Sequence, residues 1–444
     1  MVRFWVLLLL VLLISGMISG AAPRTATSGE SLFPEPTYAR FFEELRKADP
    51  KTASFVDETF LDYLRETYGE GVYRSLFFQL VRHMYGPEIW YQRTGRTALV
   101  LRDECSGALD PESPAFRSDI RVLPDSAQTE ICVVGDVSFA DNYEIMPALL
   151  ERGKGIRGVL SDEVLDVLRS ADILLVNSEF AFTNRGEPIP GKVYTFRGDP
   201  ENVKYLEDMG TDLVTLANNH VYDFGEDGFL DTLKTFRDAD IPFIGAGEDL
   251  EEASKPFYFI VNGRKYGFTA ATRAEKNILT PGAEPDAPGV LRMYDMTRYL
   301  DVLREAEAEC DVSIAYVHWG KEKSRITEDV IREDAALMAE AGADVIVGAH
   351  AHVLQEIDYC GDVPVFYNIG NFIFDEASLD TVILRLTVTG TGEIRPQVLP
   401  CLQEDRFTGM LHGSEANRLL DSLKRLSPNA LIDRDGNVSR KPAA

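Results

Sequence analysis

Histidine is scarce in this chain, six residues in 444, yet two of the six are His350 and His352. In an extended chain that spacing puts both rings on one face, and a loop can converge them on one or two metal ions. A packed or surface histidine is the plainer explanation of either alone. Recurrence favours metal: Asp136, Glu179, Asn219 with His220, His318 and Asn371 each follow a short apolar run, as His350 follows Val345-Ile346-Val347. Two carboxylates, an amide oxygen and three imidazoles suit one or two divalent first-row ions. Either Glu179 or Asp136 can bridge two ions. A pair roughly 3.5–4 Å apart generates hydroxide and clamps the attacking and leaving oxygens of a phosphoester. His220 is placed to protonate a leaving group. Asp223, three residues on, can orient that imidazole and fix its tautomer.

Taken singly, each residue has a structural explanation. Asp136 after Gly135 can cap a turn, Asn218-Asn219 is a common turn pair, and His318 beside Trp319 suits aromatic packing. There is no G-x-S-x-G elbow and no P-loop, and Gly245-Ala-Gly247 is too short for a dinucleotide fingerprint.

From Glu130 the sequence alternates strand, polar loop and helix. Strands are expected at 131–134, 173–176, 213–216, 242–244, 313–317, 345–347 and 365–367. Ser161 is an N-cap for a helix to Ser170, and Asp199-Pro200 opens another that Gly210 stops. Helices are also expected at 229–239, 297–309 and 327–341. Asn262-Gly263 marks a hairpin between 257–261 and 266–270, and 381–389 pairs with 394–399 in a last one. Such alternation implies an α/β domain with mixed sheets. The candidate residues then lie just past the C-terminal ends of strands, where ligands of α/β sheets bind.

The remainder is organised around that domain. Residues 1–21 have the form of an export signal: Arg3, an apolar run from Phe4 to Ile14, and small residues ending at Ala21. Left uncleaved, the same stretch would anchor the chain in a membrane. Residues 22–37 read as a linker and 38–128 as a helical accessory segment, with an added strand at 97–101 and a packed or surface His83. Residues 129–400 form the main domain and 401–444 a polar C-terminal tail with a helix at 415–426. Five scattered cysteines (Cys105, Cys132, Cys310, Cys360, Cys401) form no zinc ribbon or disulfide scaffold. With 45 basic residues against 72 acidic and a net charge of −27, nucleic acid is excluded as a partner. An anionic polymer would be repelled too, except where metal ions or a local basic patch reverse the sign.

At the motif level a resemblance becomes specific. GDVSF (135–139), NSEF (177–180), LANNHVYDFGEDGFLDTL (216–233), IPFIGAG (241–247), VHWG (317–320), GAHAHVLQ (348–355) and YNIGNFIFD (367–375) occur in order. Together they resemble the CapA family of poly-gamma-glutamate capsule synthesis proteins, related to calcineurin-like metallophosphoesterases. The resemblance covers about 130–399. It implies a four-layer sandwich of two mixed β-sheets flanked by helices, with a dinuclear site at one edge holding Mn, Zn or Fe. It implies Asp136, Glu179, Asn219, His318, His350 and His352 as metal ligands and His220 as proton donor. One position departs: Ser138 stands where the phosphoesterases usually carry a histidine, an absence common in CapA-like sequences.

The expected function is an exported protein that makes, exports or handles an anionic surface polymer such as poly-gamma-glutamate, beside a membrane-bound synthesis partner. The alternatives are an extracytoplasmic metal-dependent phosphoesterase acting on a phosphoester substrate, and a polymer-binding scaffold with a vestigial site.

Overall fold

The computed structural model describes residues 120–123, 128–376 and 378–442. The expected signal, linker, strand at 97–101, His83 and Cys105 lie outside these, as does nearly all of the accessory segment. The chain divides into two units, 1–125 with 259–263, and 126–258 with 264–444. In the first, Ile120–Val122 is a strand and the Leu123 amide donates to the Ile260 carbonyl at 2.8 Å. All the candidate residues belong to the second.

That unit is built from alternating elements: β1 (Thr129–Val137), α1 (Asp162–Ser170), β2 (Ile173–Ser178), α2 (Val203–Met209), β3 (Leu213–Thr215), α3 (Gly225–Asp238) and β4 (Phe243–Ile244). After the turn at Asn262 and Gly263, both left-handed (φ 53° and 68°), come β5 (Arg264–Thr272), α4 (Met296–Glu309), β6 (Val312–His318), α5 (Asp329–Glu340) and β7 (Val345–Ala349). Then follow β8 (Ile357–Cys360), β9 (Val363–Phe366), β10 (Asn371–Ile373), β11 (Ser378–Val388), β12 (Ile394–Glu404), β13 (Phe407–Met410) and α6 (Gly413–Leu426). The caps behave as their residues require. Ser161 Oγ accepts from the Val164 amide at 3.2 Å, Asp199 accepts from the Glu201 amide at 2.9 Å, and Gly210 ends α2 at φ 86°.

Two mixed sheets result. One is eight-stranded, ordered β13-β12-β11-β1-β2-β3-β4 with β10 also paired to β1. Its β1-β2-β3-β4 and β10 pairings are parallel, and the hairpin β11-β12 joins it antiparallel. The other carries β5-β6-β7-β9 in parallel, with β8 antiparallel to β9. Period-two alternation places the layers. Cys132, Val134, Leu174 and Val176 pack into one core with α1, α2 and α3, and Ala315, Val317 and Ile346 into another with α4 and α5. The intervening Val133, Leu175, Ile314 and Val347 are just as buried but belong to neither core. Each faces the sheet opposite its own. Hydrogen bonds from Tyr266 to Thr129 (2.7 Å) and from Tyr316 to the Val134 carbonyl (3.4 Å) cross that interior. The architecture is the expected helix–sheet–sheet–helix sandwich.

Two glycines allow backbones to meet under the site. A Cβ on Gly135 would lie 1.8 Å from the Gly370 carbonyl, and one on Gly348 would lie 2.1 Å from the Tyr367 carbonyl and 2.4 Å from Trp319 Nε1. Gly348 therefore serves close approach inside β7.

Residues 401–442 do not form the tail expected. β12 runs on through Glu404, β13 adds to the sheet edge, and α6 buries Leu419, Leu420 and Leu423. Arg418 holds Asp380 with contacts of 2.8 and 2.6 Å, and Ser427 Oγ accepts from the Ile357 amide at 2.8 Å. The apolar alternation breaks at Gln403, a fully buried amide. It bonds the Phe374 amide at 2.9 Å and the Glu376 carbonyl at 3.0 Å, so an inward residue reads as polar.

Among the described residues Cys132, Cys310, Cys360 and Cys401 are free, and no helix is long and apolar enough to cross a membrane.

Candidate metal centre

The parallel strands bring their C-terminal ends to one edge, and the candidate residues converge there. Asp136 is the next-to-last residue of β1, Glu179 lies directly after β2, Asn219 and His220 after β3, His318 at the end of β6, and His350 and His352 after β7. Asn371 differs from expectation: it opens β10, whose parallel register sets it opposite Asp136. His350 and His352 hold left-handed backbone, φ 91° and 56°. Non-glycine residues adopt this region at a cost, and such strain gathers at functional sites.

The ligand atoms are close. His318 Nε2 lies 2.8 Å from Asn219 Oδ1, 3.2 Å from His350 Nδ1 and 3.4 Å from Glu179 Oε1. Glu179 Oε1 is also 3.9 Å from the Nε2 atoms of both His220 and His352. Asp136 Oδ2 lies 3.2 Å from His352 Nδ1, which also donates to Asn371 Oδ1 at 2.6 Å. That bond leaves His352 Nε2 as its free lone pair. Two triads, Glu179/His350/His352 and Asp136/Glu179/His318, have ligand atoms mutually within 4.8 Å.

Do these residues fit a metal? Atoms ligating one ion at ~2.1 Å stand roughly 3.0–3.4 Å apart, close to the 2.8, 3.2 and 3.4 Å found around His318 Nε2. Glu179 is fully buried, and its Oε1 has no hydrogen-bond partner despite three surrounding imidazole nitrogens. A buried carboxylate oxygen without a donor is costly, and a cation held beside it would supply what is missing. The donor set of carboxylate, imidazole and amide oxygen suits divalent first-row ions.

The electrostatics agree. Burial, then the Asp136 charge, pushes Glu179 well above the usual carboxylate range. Burial would raise Asp136 too, but the His352 hydrogen bond and the His352 and His318 imidazoles hold it low. Burial pushes His318 down to about 3, and burial with the neighbouring imidazoles puts His350 well below its usual range. At His352 the Asp136 contact outweighs burial and raises it. Neutral imidazoles with free lone pairs, the form that burial favours at His318 and His350, are the form that binds metal.

The expected dyad is formed. His220 Nδ1–H donates to Asp223 Oδ2 at 2.7 Å, which leaves Nε2 facing Glu179, and the ring packs edge-on against Phe196 at 4.3 Å. Asp223 Oδ2 also accepts from the Phe196 amide at 2.7 Å. The site opens to a cleft of about 420 Å³ lined by Asn219 and His350 with Glu275, Lys321, Glu322 and Glu328.

Several participants were not foreseen. Asn177 donates to Asp136 Oδ1 at 2.8 Å and to Glu179 Oε2 at 3.4 Å, which holds both carboxylates. Asn218 donates to Asn177 Oδ1 (3.1 Å) and the Ser178 carbonyl (2.8 Å), and its Oδ1 accepts from the His220 and Val221 amides at 3.0 Å each. Their signal was present: both stand beside ligand candidates in NSEF and NNH. Lys192 and Glu275 gave none, sitting in polar loops. Ser138, at the divergent position, is buried with its hydroxyl unpartnered.

A four-layer α/β body that clusters imidazoles and carboxylates at its parallel strand ends defines the class, an α/β sandwich with a candidate metal centre at one edge. Within that class the chain belongs to the bacterial capsule synthesis protein PGA_cap family, whose model matches residues 130–376. It is similar to the PGA biosynthesis protein CapA of Bacillus subtilis (strain 168), 32% identical over 241 residues, which is 53% of this chain and 62% of that protein. The capsule biosynthesis protein CapA of Bacillus anthracis is 29% identical over 279 residues, 58% of this chain and 67% of that one. A probable polyglutamine synthesis accessory protein of Mycobacterium tuberculosis is 28% identical over 260 residues, 54% of this chain and 68% of that one. The chain thus spans less than two thirds of the Bacillus subtilis relative. Among solved structures, a 5′-nucleotidase from Candida albicans aligns at TM-score 0.33 and 12% identity, covering 63% of this chain and 54% of that one.

Proposed function

We propose that the centre holds two divalent first-row ions, Mn, Zn or Fe, and that the protein serves synthesis, export or handling of an anionic surface polymer such as poly-gamma-glutamate. The observation that carries the metal reading is the buried, donorless Glu179 Oε1 ringed by three imidazole nitrogens. Asp136, Glu179, Asn219, His318, His350 and His352 are the ligands, and Asn177 fixes the two carboxylates between them. Bound ions of this kind supply Lewis acidity and a nucleophilic water at neutral pH. The chain supplies the proton: His220, its Nδ1–H held by Asp223, presents Nε2 beside Glu179, where a protonated ring gives its proton to a leaving oxygen. The polymer reading rests on the family and on the names its relatives bear. It gains physical support because a chain of net charge −27 meets a polyanion most favourably through metal.

A second reading, an extracytoplasmic metal-dependent phosphoesterase, draws on the intact His220–Asp223 dyad, which a binding scaffold does not need. In either case residues 1–21 act as an export signal that places the domain outside the cytoplasmic membrane, where a membrane-bound synthesis partner would meet it.

Metal analysis of the full chain beside His350→Ala/His352→Ala tests the centre, with turnover of a chromogenic phosphodiester in added manganese or zinc. One or two ions in the parent and none in the variant is the expected result. Turnover that requires His220 favours the hydrolase. Metal-dependent binding of polyglutamate without turnover favours polymer handling. A parent that takes up no metal under any supplementation ends the metal reading.

A further inference from the structure

Lys192 leaves a loop that reads as surface, with Pro188, Pro190 and Gly191 before it and Val193 and Tyr194 after it 83% and 61% exposed. Its own side chain is only 4% exposed. The ammonium lies 2.7 Å from Asp223 Oδ1 and 2.7 Å from Glu275 Oε2, and it also donates to the backbone carbonyl of Asn219. Thr280 Oγ1 completes the cluster, 3.0 Å from that carbonyl and 2.9 Å from the Glu275 carboxylate. Glu275 itself is held in left-handed backbone (φ 59°), with its carbonyl accepting from Arg292 and, at 3.1 Å, from the Tyr294 hydroxyl.

Burying an ammonium is costly unless each N–H finds an acceptor. Lys192 finds two, the Asn219 carbonyl and Glu275 Oε2, and its charge adds an ion-pair contact with Asp223 Oδ1, so that it joins the loop 219–223 and the loop at Glu275 across the cleft. Asp223 Oδ1 is buried and takes no hydrogen bond among the described residues, so the Lys192 charge 2.7 Å away is what compensates it, while Oδ2 takes the His220 ring and the Phe196 amide. The Asn219 carbonyl belongs to the residue whose Oδ1 meets His318 Nε2 at 2.8 Å. One side chain therefore sets the position of both the proton-donor dyad and the amide ligand.

We propose that Lys192 is the positioning residue of this site. It contacts no reacting group. It acts through Asp223 and the Asn219 carbonyl, holding His220 Nε2 and Asn219 Oδ1 in place across from Glu179. This rests on the roles given above to His220 and Asn219.

The test compares Lys192→Met with Lys192→Arg in the full chain. The first readout is hydrogen exchange of the His220 Nδ1–H proton by NMR, assigned by its loss in His220→Asn. The Trp319 indole proton, donated to the Tyr367 carbonyl at 3.0 Å, reports on an intact fold. The second readout is manganese affinity. In Lys192→Met, exchange should quicken by at least tenfold and manganese affinity should fall roughly 10–100-fold, as when other outer-shell partners are lost. Any phosphodiester turnover should fall in kcat with KM unchanged. Lys192→Arg, which keeps the charge, should restore exchange to within a few-fold of the parent. An unchanged His220 proton in a Lys192→Met protein that keeps the Trp319 signal overturns the proposal. If Lys192→Met loses that signal, Glu275→Gln decides: partial quickening supports the proposal and parental exchange overturns it. A parent that binds no manganese overturns the metal reading instead, and the exchange comparison still judges Lys192.

Discussion

At the scale of single residues, the site is a set of groups that are each expensive to bury and are affordable only together. Glu179 shows this most plainly, with one oxygen bonded to Asn177 and the other to nothing. Glu179→Gln removes the charge but keeps the volume, so the fold should survive while metal content falls at least about tenfold, as elemental analysis would show. Asp223→Asn tests the dyad. An amide can present its N–H to His220 Nδ1 and force the other tautomer, so turnover on a phosphodiester should fall by about 100-fold or more with KM little changed. Equal activity in that variant would remove His220 from the mechanism.

At the scale of elements, the strand ends position the ligands and the glycines let the strands meet. Gly348→Ala puts a methyl against the Tyr367 carbonyl and the Trp319 ring nitrogen, so β7 must shift away from β9 and carry His350 with it. Such overpacking should cost about 1–3 kcal/mol or more in denaturant unfolding and weaken metal retention as well. The C-terminal elements make a separate claim. Leu420 on α6 is buried, so Leu420→Ala should destabilise by about 2–5 kcal/mol and leave metal stoichiometry unchanged. A loss below about 0.5 kcal/mol would mean that α6 is only loosely docked in solution.

At the scale of the whole molecule, the charge of −27 and the metal centre act against each other. Ions that bind only the folded state raise stability by mass action, so chelation should lower Tm by several degrees and manganese should restore it. The same charge makes contact with a polyanion conditional. Polyglutamate binding should vanish with chelator, return with divalent metal, and be lost in His350→Ala/His352→Ala. Binding that ignores both would move the contact to another surface.

The sequence by itself determined the alternation of strands and helices, their caps and turns, and the identity of every proposed ligand. These are local signals: apolar period, N-cap chemistry, and rare residue types placed after strands. Asp136, Glu179, Asn219, His220, His318, His350 and His352 were legible because histidine is scarce and the motifs are contiguous. Tertiary structure alone decided which polar residues became buried partners. Lys192, Glu275 and Gln403 look like surface residues because nothing within a few positions of them reveals a distant carbonyl or carboxylate. They are drawn inward only where remote loops bring hydrogen-bond or ion-pair partners to meet them, and that is a property of the folded arrangement.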